Sequence, residues 1–481
     1  MIYKKYSRVI IKIYYKFLLK YVIIPRVCYI RKVWGNEIMN DNKIDRLEYR
    51  RKRRIRNQVL AIITVVVIAV VLIGGSAALV YHGGRIFEEK QDVESTDEVT
   101  EEVVDTEAEN EEVIDEELEE QDELIEEENE EQKLFEELVA SHIFEMTLEE
   151  KVAGMFVVEP EAITGVSAAI NAGPTTKEAL VKRPVGGMIY FSKNIKDEAQ
   201  LKELIENTVS FCKYPMFIGV DEEGGSVSRL ANSSLEIEKV DSMQAIGEAG
   251  DVAKAKTAGE QIGTYLSQYG FNLNFAPVVD VPTVEDNTLS DRAFSSDVSV
   301  VEAMGSEFIL GMQSTGVSAT AKHFPGIGST TDDTHDGAAV IDKSLDEMRE
   351  VEFKPFIKAI ESGVDFIMVS HASAPQVVGD DTPSDLSAMM VNEVLRNELG
   401  FQGVVITDAL NMAAVTDKYD SNEAAVMAIQ AGVDVLLMPE DFETAYEGIL
   451  EAINNGKITE ERINESLTRI YRVKFKSAIG E

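Results

Sequence analysis

Eight short runs rich in apolar and β-branched residues recur along the chain, at 153–158, 186–191, 216–221, 273–281, 317–324, 366–371, 403–408 and 434–439. Between most of them lie longer stretches with apolar residues three and four apart, such as 252–269, 344–362 and 388–399, which is the period of an amphipathic helix. Strands that alternate with helices pair in parallel through crossovers. Eight such units in roughly 340 residues is the size of an α/β fold closed into a single (β/α)8 barrel with extended loops. A doubly wound open sheet is the competing architecture, and the polar residues discriminate between the two. Asp221, Asp280, Lys322 with His323, His371 and Asp408 each close a different run. Barrel enzymes carry their chemistry at the C-terminal ends of several strands, whereas an open sheet gathers ligand contacts at one switch point. Singly, each of these residues is as well explained as a loop cap. Together, on five strands, they point to a site.

The front of the chain follows different rules. Residues 59–81 hold no charge and are long enough to cross a bilayer as a helix, with Thr64 and Ser76 as their only hydroxyls before Tyr81. Arg50, Arg51, Lys52, Arg53, Arg54 and Arg56 stand just before this span, and the chain after it turns acidic. Positive flanks stay inside, so the sequence predicts a single-pass anchor in the cell membrane with segment 1–58 cytoplasmic and everything past Tyr81 outside. A cleaved signal peptide is the alternative, although the apolar stretch exceeds a usual signal core. Residues 1–38 show no helical period. They read either as a basic membrane-surface segment or, if Met39 is the true start, as untranslated sequence.

The formal charge of −40 is concentrated at 82–137, a run of Glu and Asp with few aromatics. Such a segment buries too little apolar surface to offset its ordering entropy, so it reads as a solvated stalk between the anchor and a barrel at 138–481. Nucleic acid is a poor partner for so acidic a chain. Cys28 and Cys212 fall on opposite sides of the expected membrane, which excludes an intrachain disulfide, and no Cys/His spacing of the metal-binding type occurs.

Two motifs carry candidate chemistry. Ala321-Lys322-His323-Phe324-Pro325-Gly326 ends an apolar strand with two charged or polar groups and then a forced turn; at that position they would suit a ligand covered in hydroxyls. Downstream, Asp333-Thr334-His335 places a carboxylate two residues from an imidazole. Asp333 can fix the tautomer of His335 and favour its protonated form, as a proton donor requires, although this spacing alone is common in loops. The strand 403–408 delivers Asp408, which could attack an anomeric carbon or simply cap a following helix.

With these motifs in place the chain resembles glycoside hydrolase family 3, and within it the bacterial N-acetyl-β-glucosaminidase branch. The resemblance covers about Met146 to Tyr471. It rests on Met146-Thr147-Leu148-Glu149-Glu150-Lys151, the run from Asp221 to Leu230, Asn274 to Asp280, Asp291-Arg292-Ala293-Phe294, KHFPG at 322–326, the Asp333-Thr334-His335 loop, and TDALNM at 407–412. It implies Asp408 as nucleophile and His335, oriented by Asp333, as acid/base. It further implies Asp221, Arg229, Arg292, Lys322 and His323 as sugar ligands, with His371 closing its strand in a similar position. Ile327 departs from the polar residue common after KHFPG, and Gly328-Ser329-Thr330 replaces a more usual Gly-Asp-Thr.

The resemblance implies a retaining exo-β-N-acetylglucosaminidase that needs no cofactor and no metal. The Asp-x-His loop separates this branch from β-glucosidases and xylosidases of the family, which take their acid from a second domain; only residues 409–481 follow the nucleophile here. With the anchor, peptidoglycan fragments become the expected glycan. Phosphorolysis is a second enzymatic possibility, since a neutral imidazole repels phosphate less than a carboxylate does. An inactive envelope-binding barrel is a third, but its signature would be a missing nucleophile or acid, and both are present.

Overall fold

The computed structural model describes residues 132–476 apart from 285, 286, 288 and 333–336. Eight parallel strands form one sheet: β1 Phe156–Val158, β2 Gly187–Ile189, β3 Phe217–Val220, β4 Leu273–Asn274, β5 Ser318–Phe324, β6 Phe366–Val369, β7 Val404–Thr407 and β8 Leu436–Leu437. Their spatial order is β8-β1-β2-β3-β4-β5-β6-β7, so sequence neighbours are spatial neighbours. The two ends of the sheet meet at a bridge between Ile406 and Val435, where Thr407 N–H donates to the Val435 carbonyl at 3.1 Å. The expected barrel is therefore present and nearly closed. Every strand of this sheet lies inside one of the eight runs read from the sequence, while a separate two-stranded hairpin, Glu222–Gly224 with Val227–Ser228, falls outside them.

Several strands are shorter than those runs because the chain breaks ladder pairing early. After β4, Pro277 has no N–H to donate, and the backbone continues irregularly to a bridge between Val278 and Lys322. The helices start where short polar side chains can cap them. Asp197, Asp251, Asp297, Asp441 and Thr459 each accept a hydrogen bond from a backbone N–H in the first turn of the helix they precede. The stretch 344–362 divides into Leu345–Glu350 and Phe353–Glu361. Pro355 sits in the first turn of the second helix, where its missing N–H costs nothing. The break buries Glu352, which pairs with Lys343.

At the front, residues 132–144 are helical, so the last part of the segment read as stalk belongs to the folded unit. The reason is a helical stripe of Phe135, Val139 and Ile143, all buried, together with an ion pair from Glu136 to Arg472 at 2.8 Å. Among the described residues no helix is long and apolar enough to cross a membrane. The span read at 59–81, the basic segment before it and the stalk as far as 131 lie outside the described residues.

Candidate active site

Because all eight strands run in one direction, Asp221 after β3, Lys322 and His323 at the end of β5, His371 after β6 and Asp408 after β7 gather at the same end of the barrel. In a regular strand Lys322 and His323 would point to opposite faces. Here the β5–β6 register shifts between Ala321 and Phe324, and alternation fails locally. Lys322 Nζ lies 3.0 Å from Asp221 Oδ1 and 2.6 Å from Glu223 Oε1. His323 Nδ1 is 2.8 Å from Asp280 Oδ2, and its backbone N–H donates to the same oxygen at 3.0 Å. The other Asp280 oxygen accepts from Ile327 N–H at 2.8 Å, so one buried carboxylate holds both ends of the KHFPG turn.

One departure from the family pattern, Ile327, has a local cause, and the glycine after it is fixed by packing. Ile327 is buried, with its side chain in the core rather than in the loop's polar surface. At Gly328 a Cβ would stand 1.9 Å from the Val281 carbonyl, and the Gly328 carbonyl accepts from Thr283 N–H at 2.8 Å, so the close approach of two backbones demands glycine. Gly326 is equally constrained, by φ +112° and by Glu352 Cβ at 2.8 Å.

Around Lys322 the charges form a network. Arg292 grips Glu223 with Nε and Nη2 at 2.8 and 2.9 Å, a bidentate pair, and its Nη2 stands 3.4 Å from His323 Nε2. Burial opposes ionisation of Glu223, but the fields of Lys322 and Arg292 outweigh it and hold the carboxyl at about 2. For Lys322 burial favours the neutral amine, yet Glu223 and Asp221 raise its affinity for the proton above the ordinary value. Arg229 approaches Asp221 at 3.8 Å, lies over the Phe191 ring at 5.6 Å, and keeps its buried Nε without a partner among the described residues. Its segment is held by Glu222, which accepts from the N–H groups of Leu230 and Ala231 at 2.7 and 2.9 Å and from the Tyr265 hydroxyl at 2.8 Å.

Asp408 is half-buried, and its N–H donates to the Val369 carbonyl at 2.9 Å. It does not cap a helix, since the next one begins only at Ala413; instead Oδ1 accepts from the adjacent Ala409 N–H at 2.8 Å. Burial alone would raise its pKa, but His371, then His323, the Ala409 N–H and Lys322 together lower it below the ordinary carboxylate value. His371 itself has no free nitrogen. Nδ1 is 3.0 Å from Asp385 Oδ2 and Nε2 is 2.9 Å from the Ala409 carbonyl, with the ring fully buried. It therefore supports Asp408 rather than offering a hydrogen bond to a sugar.

Asp333 and His335 lie outside the described residues. The backbone that brackets them is anchored on both sides: Asn287 Nδ2 donates to the Thr330 carbonyl at 2.6 Å, and Ser373 N–H donates to the Ala339 carbonyl at 2.9 Å. Among the described residues no group of three or more His, Cys, Asp or Glu side chains is placed to hold a metal ion.

A strand-end carboxylate with a lowered pKa beside a network of Lys, Arg, Asp and Glu suits a ligand covered in hydroxyls. Comparison with known families agrees, matching residues 147–473 to the glycosyl hydrolase family 3 N terminal domain. The chain belongs to glycosyl hydrolase family 3. Beta-hexosaminidase A of Pseudoalteromonas piscicida is 31% identical over 340 residues, which cover 64% of this chain and 56% of the relative. The beta-hexosaminidase of Idiomarina loihiensis is 35% identical over 266 residues, covering 55% of this chain and 79% of the relative. Among solved structures, a glycoside hydrolase family 3 beta-N-acetylglucosaminidase from Paenibacillus sp. is 33% identical with a TM-score of 0.66, covering 70% of this chain and 64% of that one. The chain thus spans little more than half the length of the Pseudoalteromonas relative and under two thirds of the Paenibacillus protein.

Against this family 3 background, two buried acids, Glu223 and Asp385, have no role in the sequence reading, and a third, Asp280, does more than close its strand. Glu223 lies within the run from Asp221 to Leu230 and is the shared anion beneath Lys322 and Arg292. Asp280 likewise carries the turn that presents His323. The adjacent acids at 221–223 were the available signal for Glu223. Asp385 had none, because it lies in an unremarkable loop 14 residues beyond His371.

Proposed function

We propose that this family 3 chain is a retaining exo-β-N-acetylglucosaminidase in which Asp408 is the nucleophile and His335, oriented by Asp333, is the acid/base. The observation that carries it is a carboxylate at the barrel mouth held ionised by His371, His323 and Lys322. In the first step an Asp408 oxygen bonds to C1 of the terminal sugar as the C1–O glycosidic bond breaks, and His335 gives its proton to the leaving oxygen. In the second, water attacks C1, His335 takes the proton, and the C1–Asp408 bond breaks with overall retention. Asp221, Arg229, Arg292, Lys322 and His323 bind the sugar hydroxyls. The names of the relatives, beta-hexosaminidase and beta-N-acetylglucosaminidase, support the N-acetylglucosamine specificity. The apolar run at 59–81 and its basic flank support a membrane anchor that holds the barrel outside the cell against cell-wall glycans.

The test is release of an aryl leaving group from a β-N-acetylglucosaminide, with and without phosphate, followed by trapping with a slow-turnover fluorinated donor. Free sugar in both buffers and a label on Asp408 are expected. Asp408→Ala should abolish turnover. His335→Ala should slow substrates with poor leaving groups far more than activated ones; an equal loss on both would remove the acid role, and sugar 1-phosphate as product would replace hydrolysis by phosphorolysis.

A further inference from the structure

The pair formed by His371 and Asp385 lies behind the nucleophile, beyond reach of a ligand. Both side chains are fully buried. The Ala409 carbonyl can only accept, so Nε2 carries a hydrogen; burial raises the proton affinity of Asp385 and His371 opposes it, and with Asp385 ionised Nδ1 carries a hydrogen as well. The ring with both hydrogens is an imidazolium. Asp385 is fixed in turn: its N–H donates to the Ser370 carbonyl at 3.2 Å within the turn Ser384–Leu386, and Ser384 Oγ donates to the Ala372 carbonyl at 2.5 Å. Residue 409 is thus held twice, its carbonyl by His371 and its N–H by Asp408 Oδ1 at 2.8 Å.

We infer that His371, charged through Asp385, is a positioning residue that grips the turn after β7 and serves as a permanent counter-ion to the nucleophile. The inference rests on the reading of Asp408 as nucleophile. The charged groups that act on the ring are Asp385 and Asp408, which also repel each other; the groups that lower the pKa of Asp408 are His371, His323, the Ala409 N–H and Lys322. Burial would lower the proton affinity of His371, but the two carboxylates raise its pKa to about 9, so the cation persists across the neutral range. Its chemical consequence falls on both steps. Bonding of Asp408 to C1 removes the anion, and cleavage of that bond regenerates it. A fixed cation therefore favours release of the carboxylate and keeps it deprotonated between turnovers.

The test is the pH profile of kcat/KM for His371→Gln and Asp385→Asn. The acid limb reports ionisation of the free nucleophile. Removing the cation raises the Asp408 pKa, so in His371→Gln the limb should move to higher pH by about one unit or more, a shift of one unit meaning a tenfold change in the protonated fraction, whereas Asp385→Asn, which also removes a carboxylate that repels Asp408, should move it in the same direction by less. Trapped glycosyl-enzyme should also persist longer than in the wild type. A merely structural role would lower activity at every pH and leave the limb in place; an unmoved limb in folded variants overturns the inference. If neither variant folds, the wild-type ring decides: its imidazole NMR signals, one of five histidines, should show imidazolium at pH 7, and a neutral ring there overturns the proposal. A donor label on another residue would overturn the nucleophile instead, whereas a label on Asp408 with an unmoved limb rejects this inference alone.

Discussion

Glu223→Gln removes one charge from the network beneath the site while conserving its shape. Glu223 is 1% exposed and is the shared partner of Lys322 and Arg292; without its charge, only Asp221 remains in contact with Lys322, and Arg292 loses its bidentate acceptor. Its carboxyl is lowered from 4.5 to about 2, which corresponds to roughly 3 kcal/mol of stabilisation at neutral pH. This agrees with the ~3–5 kcal/mol expected when one partner of a buried pair is removed. Because the folded value is depressed, the contribution is complete above about pH 4.5 and is lost as pH falls toward 2. By pH 3.5 roughly two fifths of it should be gone. Thermal unfolding followed by circular dichroism should place Glu223→Gln about 5–10 °C below wild type at pH 7, with the gap narrowing at pH 3.5. Equal melting at pH 7, or a gap that does not narrow on acidification, would refute the assignment of Glu223 as an ionised hub. On the proposed sugar-binding role of Lys322 and Arg292, kcat/KM should fall at least about tenfold, since both lose their common anchor.

Two further substitutions test how the barrel is held. Asp434 is fully buried next to the closing bridge, where it accepts from Val405 N–H at 3.0 Å, Ser466 Oγ at 2.6 Å and Arg469 Nη1 at 3.0 Å and pairs with Arg396. Asp434→Ala strands these cations and should cost about 3–5 kcal/mol in urea unfolding at unchanged KM; a loss under 1 kcal/mol would mean that water or another group replaces it. Gly328→Ala drives a Cβ into the Val281 carbonyl, with no flexible side chain to give way. Its expected cost is about 1–3 kcal/mol with a lower kcat/KM, and full activity with wild-type melting would show that the loop is not held by this backbone contact.

Much of this protein is legible along the chain because it depends on local rules. Strand and helix periods mark eight units, parallel strands bring their C-terminal ends together, and Pro and Gly punctuate the KHFPG turn, so Asp221, Lys322, His323, His371 and Asp408 could be placed at one end before any coordinates. What tertiary structure decided is which groups pair. Glu223 meets an arginine 69 residues away, and Asp385 meets His371 from the far side of an irregular loop. Neither pairing leaves a periodic trace, because each depends on barrel closure and on local loop paths. The register shift at 321–324 and the helix break before Phe353 are of the same kind: propensity favoured a regular strand and one helix, and packing around Asp280 and Glu352 prevailed. A strand-end His reads from sequence as a ligand for sugar. Only the fold shows that both its nitrogens already belong to the protein, one facing Asp385 and the other the Ala409 carbonyl.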